Sequence, residues 1–302
     1  MNRTRLSPID VLGITLGVIA IMIVIGSIIA IAQGRMFDAR WSMFNGRGAW
    51  NGSEFSFGGS AREEKDDQVA GSFTELEIRN VAGSIEIAGG SAASGVAVHS
   101  VKTAPSQAAL NNVHVDIQNR GSRLVVEEKH DSGFMTRSGT ISFQITIPKG
   151  MKVIEAHSVS GSITVRDVEP GIDQTLSTIS GSVTTSQSRN LDVSTTSGGI
   201  QFAFAGSKLN ARSVSGSIDG DIGALEKGGS ARMSTISGSV SVNAFSGLDA
   251  TVTLHTLSGR VSCGFPVTIS EQRNNRLQGK IGSGSASLDA GSTSGSITIN
   301  KM

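Results

Sequence analysis

The chain has 302 residues and a net charge of +1, so it holds one large domain or two ordinary ones and has no charge excess with which to grip nucleic acid. Charged residues are 17% and aromatics 4%, with no Tyr, which excludes a core built on large rings. The one Cys, Cys263, excludes a disulfide framework or Cys-clustered metal site, and 38 glycines, roughly twice ordinary usage, mark a chain of turns and small residues.

Residues 1–10 form a short tail carrying Arg3 and Arg5. From Val11 to Ala32 there are 22 residues without a charge. As a helix they would extend about 33 Å, enough for a hydrocarbon layer of about 30 Å. The alternative is a cleaved signal peptide, since Ala30-Ile31-Ala32 has the small-residue look of a cleavage site. Apolar regions of signal peptides run to about 7–15 residues, and the longer run here favours a retained single-pass anchor. Arg35, Arg40 and Arg47 nearly balance the tail's positive charge. A ten-residue tail before one span is expected to stay inside, leaving the bulk of the chain outside the cytoplasmic membrane.

Residues 33–68 read as a linker. Its first half holds both tryptophans, Trp41 and Trp50, with Phe37, Phe44, Phe55 and Phe57 among Gly, Asn and Arg. They suit either an aromatic belt at the headgroup level or a tether. The run AREEKDD at 61–67 reads as a solvated boundary before a folded domain at 69–302.

Within that domain a Ser-Gly pair followed by a small and a β-branched residue keeps returning. AGSIEI begins at Ala82, then come SGSITV at 160, SGSVTT at 180, SGGIQF at 197, SGSIDG at 215, SGSVSV at 237, SGRVSC at 258 and SGSITI at 294. A weaker copy, SGTISF, begins at Ser138. Glycines at 139, 161, 181, 198, 216, 238 and 259 give a mean period of 20 residues. Two after the Gly stand Ile85, Ile163, Val183, Ile200, Ile218, Val240, Val261 and Ile297. Apolar residues also dominate the positions four after, five before and seven before, with Thr185, Gly220 and Gln174 as exceptions. Apolar residues two apart on either side of a fixed Gly are the mark of half-buried strands meeting at a bend.

A unit of this size cannot bury its own apolar face, but a stack of such units can. The expected fold is therefore all-β, a right-handed parallel β-solenoid (β-helix). Its upper limit is about eleven turns and about 50 Å at about 4.8 Å per turn. Three before each Gly the residue is always Asn, Ser or Thr, on the parity of the buried positions, which predicts a buried hydrogen-bonding ladder. The alternating runs within 88–150 predict longer strands that start the stack and shield its open end. The glycine-loaded segment before Ser294 is expected to close the other end.

The recurring S-G-S-[IV]-x-[VTI] turn, with ITIPKGMKV at 145–153 running into HSVSGSITV, resembles the bacterial "putative adhesin" family of β-strand-repeat proteins. That family is a domain of unknown function related to the head domain of autotransporter adhesins. The resemblance covers roughly 70–302. It implies a β-solenoid outside the cytoplasmic membrane, often behind a single anchor and sometimes associated with envelope-stress systems. It brings no catalytic or ligand residues.

Parallel β-helices can be enzymes on polysaccharides, so carboxylates, Lys, Arg or His gathered on one outward face would matter. The outward residues after the turn are mostly hydroxyls: Ser162, Thr164, Ser182, Thr184, Ser217, Ser239 and Ser241, with Asp219 the acidic member. His99, His114, His130, His157 and His255 fall at no metal-ligand spacing. His157 and His255 share an outward level, but their expected separation is about 20 Å. Asp219-Gly220-Asp221 with Glu226 resembles a calcium loop yet lacks its alternating acids. Cys263 falls at an inward level, as a buried thiol would. The repeated SG pair lacks the strand-to-helix elbow of a serine nucleophile.

The expectation is a non-catalytic adhesin-like binding or scaffold module of the envelope without catalytic residue, metal or cofactor. Its partners are the membrane and a glycan, envelope polymer or surface protein, and not nucleic acid. The alternative is a carbohydrate-active enzyme with its site in 88–150, which clustered acidic and basic residues on adjacent turns would favour.

Overall fold

The structure is a computed structural model and describes residues 60–90, 95–131 and 139–302. The expected tail, the span at 11–32 and the linker as far as residue 59 lie outside the described residues. Among the described residues no helix is long and apolar enough to cross a membrane.

The chain opens with β1 (Ala61–Val69), β2 (Glu75–Ala82), β3 (Ile85–Gly89) and β4 (Val96–Ala104). One helical turn follows, α1 (Gln107–Leu110), where the Ser106 Oγ accepts a bond from the Ala109 N–H. Next come β5 (Val113–Arg120), β6 (Arg123–His130), β7 (Thr140–Ile147), β8 (Val153–Ser160) and β9 (Ile163–Arg166). The middle holds β10 (Asp173–Ser180), β11 (Val183–Thr185), β12 (Asn190–Ser197) and two long strands, β13 (Ile200–Ser215) and β14 (Ile218–Ser237). The last part contains β15 (Val240–Ala244), β16 (Ala250–Ser258), β17 (Val261–Cys263) and β18 (Thr268–Arg273). It ends with β19 (Arg276–Ile281), β20 (Ala286–Ser294) and β21 (Ile297–Lys301).

Two ladders run through these strands. Strands before the repeat glycines form the order β5-β6-β2-β8-β10-β12-β13-β14-β20-β16-β19-β18. Those after the glycines form β1-β4-β7-β3-β9-β11-β13-β14-β15-β21-β17. The first ladder is parallel in the middle and antiparallel at both ends, and the second is antiparallel only at its β1–β4–β7 end and parallel through to β17. The architecture is all-β and solenoid-like, with a mixed sheet rather than the purely parallel one expected.

The order also departs from simple succession. The turn β20–β21 lies between the turn β14–β15 and the turn β16–β17. Likewise β2–β3 lies between β6–β7 and β8–β9. The last repeat therefore fills a place inside the stack and the hairpin β18–β19 lies at its end, so of the segment expected to close it, 277–291, only the part in β19 does so, while the part in β20 lies inside. The SGTISF copy is not a corner: Ile85 pairs with Phe143, not with Ile141 two after Gly139. The eight strong copies all are corners. The AREEKDD run, expected to be linker, is β1 and pairs antiparallel with β4 as a charged, mostly exposed edge.

Inward residues fill one core. At the level two after the Gly, Ile163, Val183, Ile200, Ile218, Val240 and Ile297 are fully buried. Gly220 stands inward because the Phe202 ring of the neighbouring turn occupies its place, 2.5 Å from where a Cβ would be. The other two exceptions meet each other. Buried Thr185 donates its hydroxyl to the Gln174 Oε1, and the Gln174 side-chain amide donates to the Gln187 carbonyl at 3.0 Å. We expect Thr185→Val to cost about 1–3 kcal/mol, because it leaves a buried amide oxygen unmatched. Adding Gln174→Leu should restore most of the loss, as urea unfolding of the two single variants and the double variant will show.

Glycine is required at the corners by close approach rather than by a uniform positive φ. A Cβ at Gly161 would lie 1.9 Å from the Gly83 carbonyl oxygen, and one at Gly216 would lie 1.9 Å from that of Gly198. The same carbonyls receive the expected polar ladder. Thr178 donates to Gly161, Thr195 to Gly181 and Thr235 to Gly216, at 3.0, 3.0 and 2.9 Å. These buried hydroxyls thus bond to the neighbouring turn's backbone rather than to the next hydroxyl, whereas the buried Ser158 hydroxyl at the same level has no hydrogen-bond partner among the described residues. At the first corner Asn80 takes the Gly83 carbonyl itself, at 2.8 Å. Beside it the Glu128 carboxylate accepts from the N–H groups of Val81 and Ala82, at 2.6 and 3.0 Å, where β6 no longer pairs with β2.

The far end is held by Asp249. Its carboxylate accepts from the Ser283 hydroxyl at 2.8 Å and from the Gly284 N–H at 2.6 Å. These bonds, those of Ser283 foremost, lower its pKa from 3.8 to about 2. A depressed carboxylate stabilises the folded state above its unfolded pKa and loses that contribution as pH falls through the folded value. The acid limb between about pH 4 and about pH 2 should therefore be shallower in Asp249→Asn than in the parent, measured by thermal melting across that range.

Candidate binding surface

Between the last inward residue before each corner and the first one after it, four successive residues face outward. Two before the Gly this row reads, in spatial order, Val81, Val159, Ile179, Thr196, Val214, Ile236, Thr293 and Leu257. Seven of these are half-buried by their stacked neighbours, whereas Leu257, at the end of the row, is 61% exposed. One before the Gly runs a second row: Ala82, then Ser160, Ser180, Ser197, Ser215, Ser237, Ser294 and Ser258 in register. One after the Gly stand Ser84, Ser162, Ser182, Gly199, Ser217, Ser239, Ser296 and Arg260, nearly all exposed. The corner is thus a ridge of aliphatic, serine, glycine and serine rows, one rung per turn. The serine face was legible beforehand. The aliphatic row was not, because it stands off the parity of the buried positions.

The acidic and basic side chains gather elsewhere, outside the first ladder near β6, β2 and β8. Arg123 bonds Glu75 at 2.8 Å and Glu77 at 3.0 Å and lies 3.5 Å from Glu155, while Arg79 lies 2.5 Å from Glu77. This is a clustered set on adjacent strands of the kind the enzyme reading calls for. Burial alone would push the Glu77 carboxyl up, but hydrogen bonds from Arg123 and Arg79 outweigh it and hold the pKa below the usual value. A glycosidase needs one carboxyl kept protonated as general acid, and Glu77 is the reverse. Glu128 is raised, by burial first, but its side chain is fully enclosed and bonded to backbone.

The five histidines lie apart. His157 Nδ1 is 2.6 Å from the Ser177 Oγ, and burial lowers the pKa of the ring. His130 faces Glu128 at 2.7 Å, His99 faces Asp66 at 2.7 Å, and His114 faces Asp131 at 3.1 Å. His255 is six strand steps from His157 through the inserted β20, about 29 Å rather than about 20 Å. Asp219, Asp221 and Glu226 are exposed; Asp221 accepts from the Asn243 amide at 2.8 Å and Glu226 from the Ser207 hydroxyl. Among the described residues no three His, Cys, Asp or Glu side chains are grouped to hold a metal. Cys263 is half-buried rather than enclosed, since β17 is the last strand of its ladder, and burial raises its thiol pKa.

Several solved structures are similar in fold course. A "putative adhesin" from Parabacteroides distasonis ATCC 8503 is 13% identical over 81% of this chain and 98% of its own, with a TM-score of 0.39. A "putative cell adhesion protein" from Clostridium sporogenes ATCC 15579 is 12% identical over 80% and 100%, with a TM-score of 0.36. A "putative lipid binding protein" from Parabacteroides distasonis ATCC 8503 is 12% identical over 80% and 96%, with a TM-score of 0.32. No curated protein matches the chain. The model of the Toastrack DUF4097 family matches residues 71–300, most of the chain and every repeat corner, and the protein belongs to that family.

Proposed function

We propose that the protein is a non-catalytic binding or scaffold module of the bacterial envelope, adhesin-like in the sense that it presents a repeating surface to an extended partner. The observation that carries this reading is the corner ridge: eight rungs in register, with a row of six aliphatics and two threonines, half-buried except for Leu257, facing outward beside two rows rich in serine. An outward row of mostly aliphatic side chains, ending on the exposed Leu257, supports an interaction site there. The 22 uncharged residues from Val11 to Ala32 support a single-pass anchor, and the family resemblance supports placing the β-domain outside the cytoplasmic membrane. A right-handed coil follows from the handedness of parallel crossovers, and the family resemblance suggests a link to envelope stress.

The second reading, a carbohydrate-active enzyme, draws on the cluster of Glu75, Glu77, Glu155, Arg79 and Arg123. One assay separates the two. Incubated with a panel of envelope and extracellular polysaccharides, the chain should retain polymer on a column without releasing reducing ends. Release that disappears in Glu77→Gln would overturn the module and establish the enzyme.

A further inference from the structure

The ridge also constrains what it binds; this step rests on the binding reading above. Eight rungs at about 4.8 Å make a strip about 34 Å long, and four residues of corner at about 3.3 Å make it about 13 Å wide. That is roughly 440 Å², about half of the 800 Å² that each side of a stable protein–protein interface contributes. A globular partner or a second copy of this chain would be held weakly there, whereas a chain lying lengthwise would use the whole strip.

Charge narrows the choice further. Across the three side-chain rows the one charged residue is Arg260, at the end. The strip has no field to attract a polyanion or an acidic lipid surface. Hydrogen bonding narrows it again. The corner backbone is already engaged from turn to turn, with Gly161 N–H donating to the Ser180 carbonyl at 2.9 Å and Ile163 N–H to that of Ser182 at 3.0 Å. A peptide strand would find no ladder to join. The hydroxyls of Ser180, Ser215 and Ser237 are exposed and bond to no other described residue, and a hydroxyl both donates and accepts. Serine hydroxyls beside an aliphatic row complement a partner with hydroxyls along its edges and C–H surface on its faces.

We infer that the corner ridge binds a linear, uncharged glycan laid along the stack, with successive sugars meeting successive rungs. Contacts repeated along one chain predict affinity that rises with chain length until the ridge is full, and little dependence on salt.

The test is direct binding of the full chain to neutral glucan, mannan and xylan oligosaccharides of two to eight sugars, with polygalacturonate fragments as the charged counterpart. At least one neutral series should tighten tenfold or more from two to eight sugars and change little between low and high salt. Ile236→Asp should weaken it at least tenfold, while Asp219→Asn, on the face beyond the corner, should leave it unchanged. Where Ile236→Asp alters melting, Val214→Thr serves as the milder ridge variant, with a smaller loss in the same direction. Binding that ignores both ridge variants, or that is confined to polygalacturonate and vanishes in salt, would overturn the glycan assignment. A protein partner displaced by the ridge variants, with no oligosaccharide bound, would overturn it too while leaving the binding module intact. Cleavage of the oligosaccharides would overturn both.

Discussion

Gly198→Ala should abolish the cooperative unfolding transition or lower stability by about 3 kcal/mol or more, whereas Gly199→Ala, one residue on, should leave it unchanged or slightly higher. The two glycines are adjacent yet differ in surroundings. A Cβ at Gly198 would lie 2.1 Å from the Gly181 carbonyl oxygen, which also accepts the Thr195 hydroxyl. Relief requires moving one turn away from the next, and a close-packed stack resists that: overpacking costs about 1–3 kcal/mol where side chains can adjust, and here the obstacle is backbone. At Gly199 the nearest atom is the Ser217 carbonyl oxygen at 3.5 Å, an ordinary contact. Replacing a glycine that has no special backbone need can gain about 0.4–1 kcal/mol through the unfolded chain. Circular-dichroism melts of both variants decide the matter. Equal melting would mean that the corners tolerate a side chain and that turn-to-turn contact is looser than the geometry states.

Val240→Asp should be as damaging, and Ser239→Asp nearly silent. Val240 is fully buried between Ile218 and Ile297 on the neighbouring strands, so a carboxylate there has neither water nor a partner. An unpaired buried charge is among the few changes that cost more than about 4 kcal/mol. Ser239 is exposed, and its Oγ accepts from the Ser296 N–H at 3.3 Å, which a carboxylate oxygen can also do. Surface changes of this kind stay within about ±0.5 kcal/mol. Equal losses for the two variants would show that the inward and outward registers had been exchanged.

The eight corner glycines, the inward aliphatics two residues after them and the buried Asn/Ser/Thr level can all be read from the residue order, because each depends on a local period: two along a strand and about twenty along the chain. That Gln174 and Thr185 break the apolar pattern is visible there as well. That they answer one another is not, since it needs the two ladders to face across the core. Likewise the outward aliphatics from Val81 to Leu257 are present in six of the eight copies, with Thr196 and Thr293 in the other two. Their meaning depends on knowing that four residues, not two, separate the inward positions on either side of a corner.

What the tertiary structure alone decided is the order of stacking and what it brings together. Placing β20–β21 inside the stack and β2–β3 between β6–β7 and β8–β9 is a choice among strands of nearly equal pattern. Strand pairing is set by which edges are free when each turn docks, and no local period records that. The same choice assembles Glu75, Glu77, Arg123 and Glu155 from three separate parts of the chain, moves His255 one strand further from His157 than succession would place it, and leaves Cys263 at an uncovered edge. By itself the sequence determined the kind of turn and its inward and outward faces, because those follow from sterics within about twenty residues. The neighbours of each turn were settled by long-range backbone pairing, which the residue pattern leaves degenerate.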